Sequence, residues 1–336
     1  MSDLYCQITD FRNLYASFKK AFKGKKNDPE ASDFFLNLEV RLFKLKNNLS
    51  SRQYKPGKYN YFKIRGPKER IISEAPFRDR VVHHALISII EPIFEPIFIK
   101  NSFACRKGKG THRAVRLAQK YLQTKRFYLK MDIEKYFETM DHKKLIEIFT
   151  ETIQDRHVLR LLKIILKTSE QSSGIKEKGI PIGNLTSQFL ANVYLDKLDH
   201  YALEDLSIRY YIRYMDDFVI FDNDKEKLKE YRDNLTQFVS RELLLKVKDR
   251  ATIIQRRENG LGLLGYRVFP GLLRVKNKNI KRLKQKVFLR EKQYKEGKIK
   301  DEKLVASVQS IMGYFNFADS RNLAKNIFTS LSEIDV

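Results

Sequence analysis

Residues 209–222 read RYYIRYMDDFVIFD: two adjacent carboxylates, Asp216 and Asp217, sit inside one of the most apolar and aromatic stretches of the chain. The β-formers Tyr210, Tyr211, Ile212 and Tyr214 precede them, and Phe218, Val219, Ile220 and Phe221 follow. The stretch therefore predicts two short strands meeting in an acidic hairpin tip. No Gly or Asn-Gly stands at that tip, so ordinary turn chemistry does not account for it. Neighbouring carboxylates repel, and each is costly to desolvate without a positive partner. A metal ion is the natural candidate.

Composition narrows which metal. Cys6 and Cys105 are the only cysteines and the six His residues show no HExxH-type spacing, so a catalytic ion has to be held by carboxylates, which favours Mg²⁺ or Mn²⁺. Lys and Arg number 66 against 41 Asp and Glu, a net charge of +25, and such an excess points to a polyanionic partner. No apolar run approaches the roughly 18 to 20 residues of a membrane span, and the N-terminus MSDLYCQITDF has no apolar signal core. The expectation is a soluble, cytoplasmic protein with no membrane partner. At 336 residues and 42% hydrophobic, the chain is globular, with two or three subdomains.

Periodicity predicts a helix over residues 13–23 ending at Gly24, a second over about 31–48, and strands within 55–64 and 67–73. A helix over about 78–90, stopped by Pro92, and another over about 111–123 follow. A strand then ends at Asp132, and a helical turn carries Phe137. The Gly- and Pro-punctuated loop from residue 179 feeds a long helix. Beyond the acidic hairpin come a helix over about 225–242, a short strand near 243–247 and a hairpin-like piece at 260–271. Residues 271–300 carry twelve Lys or Arg against two Glu at helical spacing, a predicted nucleic-acid face. Two further amphipathic helices are expected over about 301–331.

Asp132 ends a strand as Asp216 does, and strands of one sheet can bring such ends together. Three carboxylates so placed could bind two Mg²⁺ about 3.5–4 Å apart, one activating a 3′-hydroxyl and one holding a triphosphate. Asp132 alone also fits a helix N-cap.

Tyr214-Met215-Asp216-Asp217 matches the YMDD box of reverse transcriptases, and other blocks of that family follow in order over nearly the whole chain. Asp132 with Phe137 resembles motif A, Gly183 through Gln188 resembles motif B, and Leu264-Gly265-Tyr266 resembles the primer grip. The resemblance implies an α+β right-hand polymerase: a helical extension over 1–50, fingers over 51–125, a palm of antiparallel sheet and packed helices over 126–270 with a fingers-associated segment at about 143–182, and a short basic helical thumb over 271–336. It implies Asp132 and Asp216 as principal metal ligands, Asp217 as a supporting one, and Ile133 beside them in the metal site. Lys68 and Arg70 match the cations that meet the incoming triphosphate, with a solvated strand face as the alternative. Arg78 and Arg80 match a block that contacts template or fingers backbone, and an ion pair with Asp79 fits equally. Phe137 sits where the family keeps an aromatic gate against the ribose 2′-hydroxyl. Ile182, Gly183 and Gln188 line the nucleotide, and Arg274, Lys281, Arg282, Lys284 and Lys286 face nucleic-acid backbone.

Motif B reads IGNLTSQ, similar to the reverse transcriptases of diversity-generating retroelements, as is QITDFRNLYASFKKAFKGK near the N-terminus. The length implies no further domain after the thumb, and the VTG of retron enzymes is missing. The usual Lys-Thr pair after the hairpin is replaced by LLLKVKDRATII, where Lys248 or Arg250 would stand in. The resemblance thus implies an RNA-directed DNA polymerase. It would copy a dedicated noncoding template RNA from dNTPs on a primer–template duplex, with two Mg²⁺ ions and a small accessory protein on its basic surface. It would be error-prone at template adenines. Antiphage defence-associated reverse transcriptases share the layout, and an RNA-binding scaffold without catalysis is the non-enzyme alternative.

Overall fold

The computed structural model of the protein describes residues 4–64, 69–168 and 176–320. The N-terminal part is helical: α1 (Leu4–Thr9), α2 (Phe11–Phe22), α3 (Pro29–Leu36) and α4 (Leu38–Ser50). Asp10 and Asp28 cap α2 and α3 by accepting first-turn N–H groups, a large part of what an isolated helix start lacks. The single helix expected over 31–48 is broken at Asn37, which ends α3 and precedes α4. Its side-chain amide donates back to the carbonyl of Asp33, competing with helix continuation.

Strands β1 (Asn60–Ile64) and β2 (Arg70–Glu74) pair antiparallel, and α5 (Phe77–Phe94) follows. Helix α5 runs through Pro92 instead of stopping there. Pro92 lies in the last turn, and the buried Phe94, packed against the rings of Phe98 and Phe149, anchors that turn against the core and offsets the missing N–H.

The central sheet, where the palm is expected, has four strands in the order β4-β5-β3-β6: β3 (Phe127–Asp132), β4 (Tyr211–Tyr214), β5 (Asp217–Asp222) and β6 (Ile253–Arg256), paired antiparallel. Around it lie α6 (Thr111–Thr124), α7 (Tyr136–Thr139), α8 (His142–Thr150), α9 (Arg156–Lys167), α10 (Leu185–His200) and α11 (Lys225–Arg241). No strand forms over 243–247. Leu244 has φ +52, which breaks an extended run, and a lone bridge joins Val247 to Ile133. Leu243, Leu245 and Val247 are still buried, so the alternation that suggested a strand survives without a ladder.

Period-two alternation divides the palm between two cores. Leu129, Met131, Tyr211, Phe218 and Ile220 face the larger one, which is continuous with α1–α5 and α8–α11. Tyr128, Ile212, Val219 and Phe221 face the smaller one. That core is completed by α6, the sheet of β7 (Leu261–Leu263), β8 (Tyr266–Phe269) and β9 (Leu272–Val275), and the helices α12 (Asn277–Lys295) and α13 (Asp301–Asn316). The hairpin expected at 260–271 is thus part of a three-stranded sheet. Of the two helices expected over 301–331, α13 is described and the remainder lies outside the described residues. No described helix is long and apolar enough to cross a membrane.

Candidate active site

Asp132 is the last residue of β3 and pairs directly with Asp217, the first residue of β5. Residues opposite each other in a ladder share a face, so both carboxylates leave the palm on the side of the smaller core. Met215 and Asp216 make the turn between β4 and β5, and the turn is closed by strain instead of by glycine: Met215 has φ +58, where residues with a Cβ are disfavoured. The amide of Ile133 donates to the Asp216 carbonyl at 3.2 Å, which seats the turn against the end of β3. Asp132 is not a helix cap, since Lys135 holds that place before α7.

Two lysines stand among these acids. Lys130, two residues before Asp132 on the same face, reaches Asp217 Oδ2 at 2.7 Å and the carbonyl of Gly262 at 3.1 Å. Lys248 places Nζ 3.8 Å from Asp132 Oδ1, and its amide donates to the Asp132 carbonyl. Of the two candidates in LLLKVKDRATII, Lys248 is therefore the one drawn to the acids. Arg250 lies in a short helical turn (Asp249–Ala251). Burial pushes the Asp217 carboxyl above its usual range, while Lys130 pulls against it.

Among the described residues, no three His, Cys, Asp or Glu side chains are grouped closely enough to hold an ion. The donors nonetheless suit a hard cation. All are carboxylates, and Asp217 Oδ1 is buried with no hydrogen-bond partner among the described residues, a costly state for a charged oxygen unless a cation supplies the missing contact.

Beneath the turn lies a polar network that sequence reasoning missed. Arg213, on the opposite face of β4 from the acids, is fully buried, as is Asp199 of α10. The guanidinium donates through Nε and Nη2 to Asp199 and through Nη1 to Asn192 Oδ1 at 3.1 Å and the Met215 carbonyl at 3.2 Å. The Tyr211 hydroxyl also donates to Asp199. The only sequence signal was an arginine where β4 alternation demands an inward side chain.

The loop at residues 182–184 docks on β2. Ser73 of β2 donates its amide to the Ile182 carbonyl at 2.9 Å, and Asn184 Nδ2 returns a bond to the Ser73 carbonyl at 3.2 Å. Gly183 has φ +113, and a Cβ there would meet Ile72 at 2.9 Å, so glycine is required. Ile182 is half-buried and Gln188 exposed. Phe137 is half-buried against the larger core, edge-on to Tyr136, and its carbonyl accepts from Ile180. Lys68 lies outside the described residues, and Arg70 begins β2. Arg78 bonds Asp79 and the Lys55 carbonyl, and Arg80 bonds Glu74 and the Ala75 carbonyl. Both thus hold nearby backbone carbonyls, and the Arg78–Asp79 pair is present.

Leu264 and Gly265 form the β7–β8 turn with φ +45 and +93. The Gly265 carbonyl accepts from the Lys276 amide, Asn279 Nδ2 and the Tyr314 hydroxyl, each at 3.1 Å, so the turn is clamped by the start of α12 and by α13. Tyr266 is buried and stacks on Tyr314. Arg274, Lys281, Arg282, Lys284 and Lys286 are all exposed.

The profile of the family described as reverse transcriptase (RNA-dependent DNA polymerase) matches residues 62–268, more than half of the chain. The chain belongs to that family. Protein YkfC of Escherichia coli (strain K12) is 26% identical over 273 residues, covering 69% of this chain and 72% of that protein. The group II intron-encoded protein LtrA of Lactococcus lactis subsp. cremoris is 28% identical over 200 residues, 58% of this chain but 33% of LtrA. The chain therefore spans about a third of that relative. Among solved structures, telomerase from Candida albicans in complex with a TWJ fragment of telomeric RNA aligns with a TM-score of 0.50 and 10% identity, over 84% of this chain and 58% of that one. That likeness concerns the fold, a reverse-transcriptase fold of mixed helix and sheet.

Proposed function

We propose that this reverse transcriptase copies a dedicated template RNA into cDNA, with Asp132 and Asp216 as its principal metal-holding residues and Asp217 in support. The observation that carries this reading is the facing of Asp132 and Asp217 across β3 and β5, with Asp216 in the adjoining turn beside Ile133. The all-oxygen donor set suits hard divalent cations, and two Mg²⁺ ions, as this reading has them, would supply activation of the primer 3′-hydroxyl and neutralisation of the triphosphate when bound. The chain's own residues orient these groups. Lys130 holds Asp217, Lys248 stands at Asp132, and the clamped turn at Gly265 offers a rigid rest for the primer end. The exposed thumb cations suit contact with duplex phosphates. Asp132→Asn and, separately, Asp216→Asn are expected to lower primer extension on RNA by about 10² or more while RNA binding, measured by filter retention, stays near wild type. Activity within a few-fold of wild type for either would overturn the assignment.

The finer assignment is to diversity generation, and it rests on IGNLTSQ. Ile182 offers no donor or acceptor where a glutamine would hold the nascent pair, and large rejection factors need a polar group that a mismatch leaves unpaired. Wild-type cDNA should be error-rich, most of all at template adenines, and Ile182→Gln should lower the error rate. Sequencing cDNA from both proteins on one template decides it: uniformly accurate wild-type copying would favour the defence-associated reading.

A further inference from the structure

Burying an arginine and a carboxylate together is seldom justified by stability alone, because an apolar pair of like volume commonly folds as well or better. What the ion pair offers instead is direction. A guanidinium is a rigid planar fork with donors at fixed angles, and Arg213 uses all of its nitrogens: Nε and Nη2 on Asp199, Nη1 on Asn192 and on the Met215 carbonyl. Asp199 and Asn192 both belong to α10. Asn192 in turn donates to the Ala104 carbonyl at 2.8 Å. The backbone of Arg213 is fixed as well, since its amide donates to the Asn101 carbonyl and its carbonyl accepts from the Phe103 amide, each at 3.0 Å. The fork is therefore aimed from below by α10 and from the side by residues 101–104.

Its last contact falls on the carbonyl of the one turn residue held at positive φ. Such a conformation persists in a residue with a Cβ only where the surroundings over-determine it. The Met215 carbonyl precedes Asp216 directly, so the peptide plane that Arg213 grips is the one from which Asp216 departs.

Resting on the polymerase reading above, we infer that Arg213 is a positioning residue. Aimed by Asp199 and Asn192, it holds the Met215–Asp216 peptide and so sets where the Asp216 carboxylate stands relative to Asp132, making the catalytic turn and α10 one mechanical unit.

The test separates positioning from mere folding. In the double variant Arg213→Met/Asp199→Leu the buried charges leave together and apolar volume replaces them. Arg213→Lys keeps the charge against Asp199 but cannot also span Asn192 and the Met215 carbonyl. Each variant is subjected to thermal unfolding, to Mn²⁺ binding by the protein alone followed by electron paramagnetic resonance, and to primer extension titrated with Mg²⁺. The expected result is a double variant that melts within a few degrees of wild type yet binds Mn²⁺ about tenfold more weakly and needs correspondingly more Mg²⁺ for half-maximal extension. Arg213→Lys should show a smaller shift in the same direction. Wild-type Mn²⁺ affinity in a folded double variant would overturn the inference; should the double variant not fold, wild-type affinity in Arg213→Lys would do the same. A wild-type protein that binds Mn²⁺ but extends no primer would instead sink the polymerase reading, with the Mn²⁺ shifts still judging Arg213.

Discussion

At the scale of single residues, the acids were legible and their partners were not. Asp132, Asp216 and Asp217 are conspicuous because carboxylates seldom interrupt aromatic strands without a cation to meet. The spacing of Phe137 from Asp132 fits a gate or a core ring equally, the resemblance alone favours the gate, and Phe137 lies half-buried beside Tyr136. If its ring blocks a ribose 2′-hydroxyl, Phe137→Ala should raise the use of ribonucleotides relative to deoxyribonucleotides by about 10- to 100-fold, the range over which apolar pockets reject one hydroxyl. Single-nucleotide incorporation with the two substrate types measures this, and equal selectivity would return Phe137 to a packing role. Lys130 and Asp199 escaped notice because an ion pair is specified by register and tertiary packing. Lys130 meets Asp217 across a ladder and Asp199 meets Arg213 from another element, and nothing in local sequence ties such residues together.

At the scale of elements, the acidic hairpin, the strand ending at Asp132 and the helix from residue 111 stand where alternation and period predicted. The misses have two causes: a local side-chain hydrogen bond at Asn37 and tertiary packing at Pro92. Asn37 broke a helix that composition alone would continue, and Pro92 failed to break one whose last turn is anchored by Phe94. Helix α12 shows the converse. It fully buries Val287, with Ile280 and Leu283 half-buried against the smaller core, so most of its composition is set by its solvent face. Lys281, Arg282, Lys284 and Lys286 all lie on that exposed surface. Neutralising the four together should flatten the slope of log affinity against log salt by about 3 on single-stranded RNA, at about 0.7 for each phosphate no longer neutralised. Titrations of binding between about 50 and 300 mM salt, on the order of the usual working range, check this, and an unchanged slope would move the binding face elsewhere.

At the scale of the whole molecule, two cores meet on opposite faces of one sheet. They are unequal in what they hold. Helix α10 is buried along nearly its whole length between the palm and α5, whereas α12 fully buries Val287 and rests on its neighbours otherwise through the half-buried Asn279, Ile280 and Leu283. Local opening should follow that contrast. Amides of α10 are expected to exchange with solvent only on global unfolding, and those of α12 several orders of magnitude sooner, about the spread between frayed and core segments in native proteins. Hydrogen exchange read by mass spectrometry checks it, and equal protection would mean that the thumb folds with the palm as one unit. The segment 101–103, which steadies Arg213, has a second consequence. It lies along the outer side of β4, an edge of the palm sheet, and takes up the amide and carbonyl of Arg213 there. The other edge, β6, is four residues long and ends in Arg256. Exposed sheet edges invite strand addition by other chains, and covered, short or charged ones resist it. The four-stranded sheet is thus guarded along both borders, one covered and one short and charged, against templating its own aggregation.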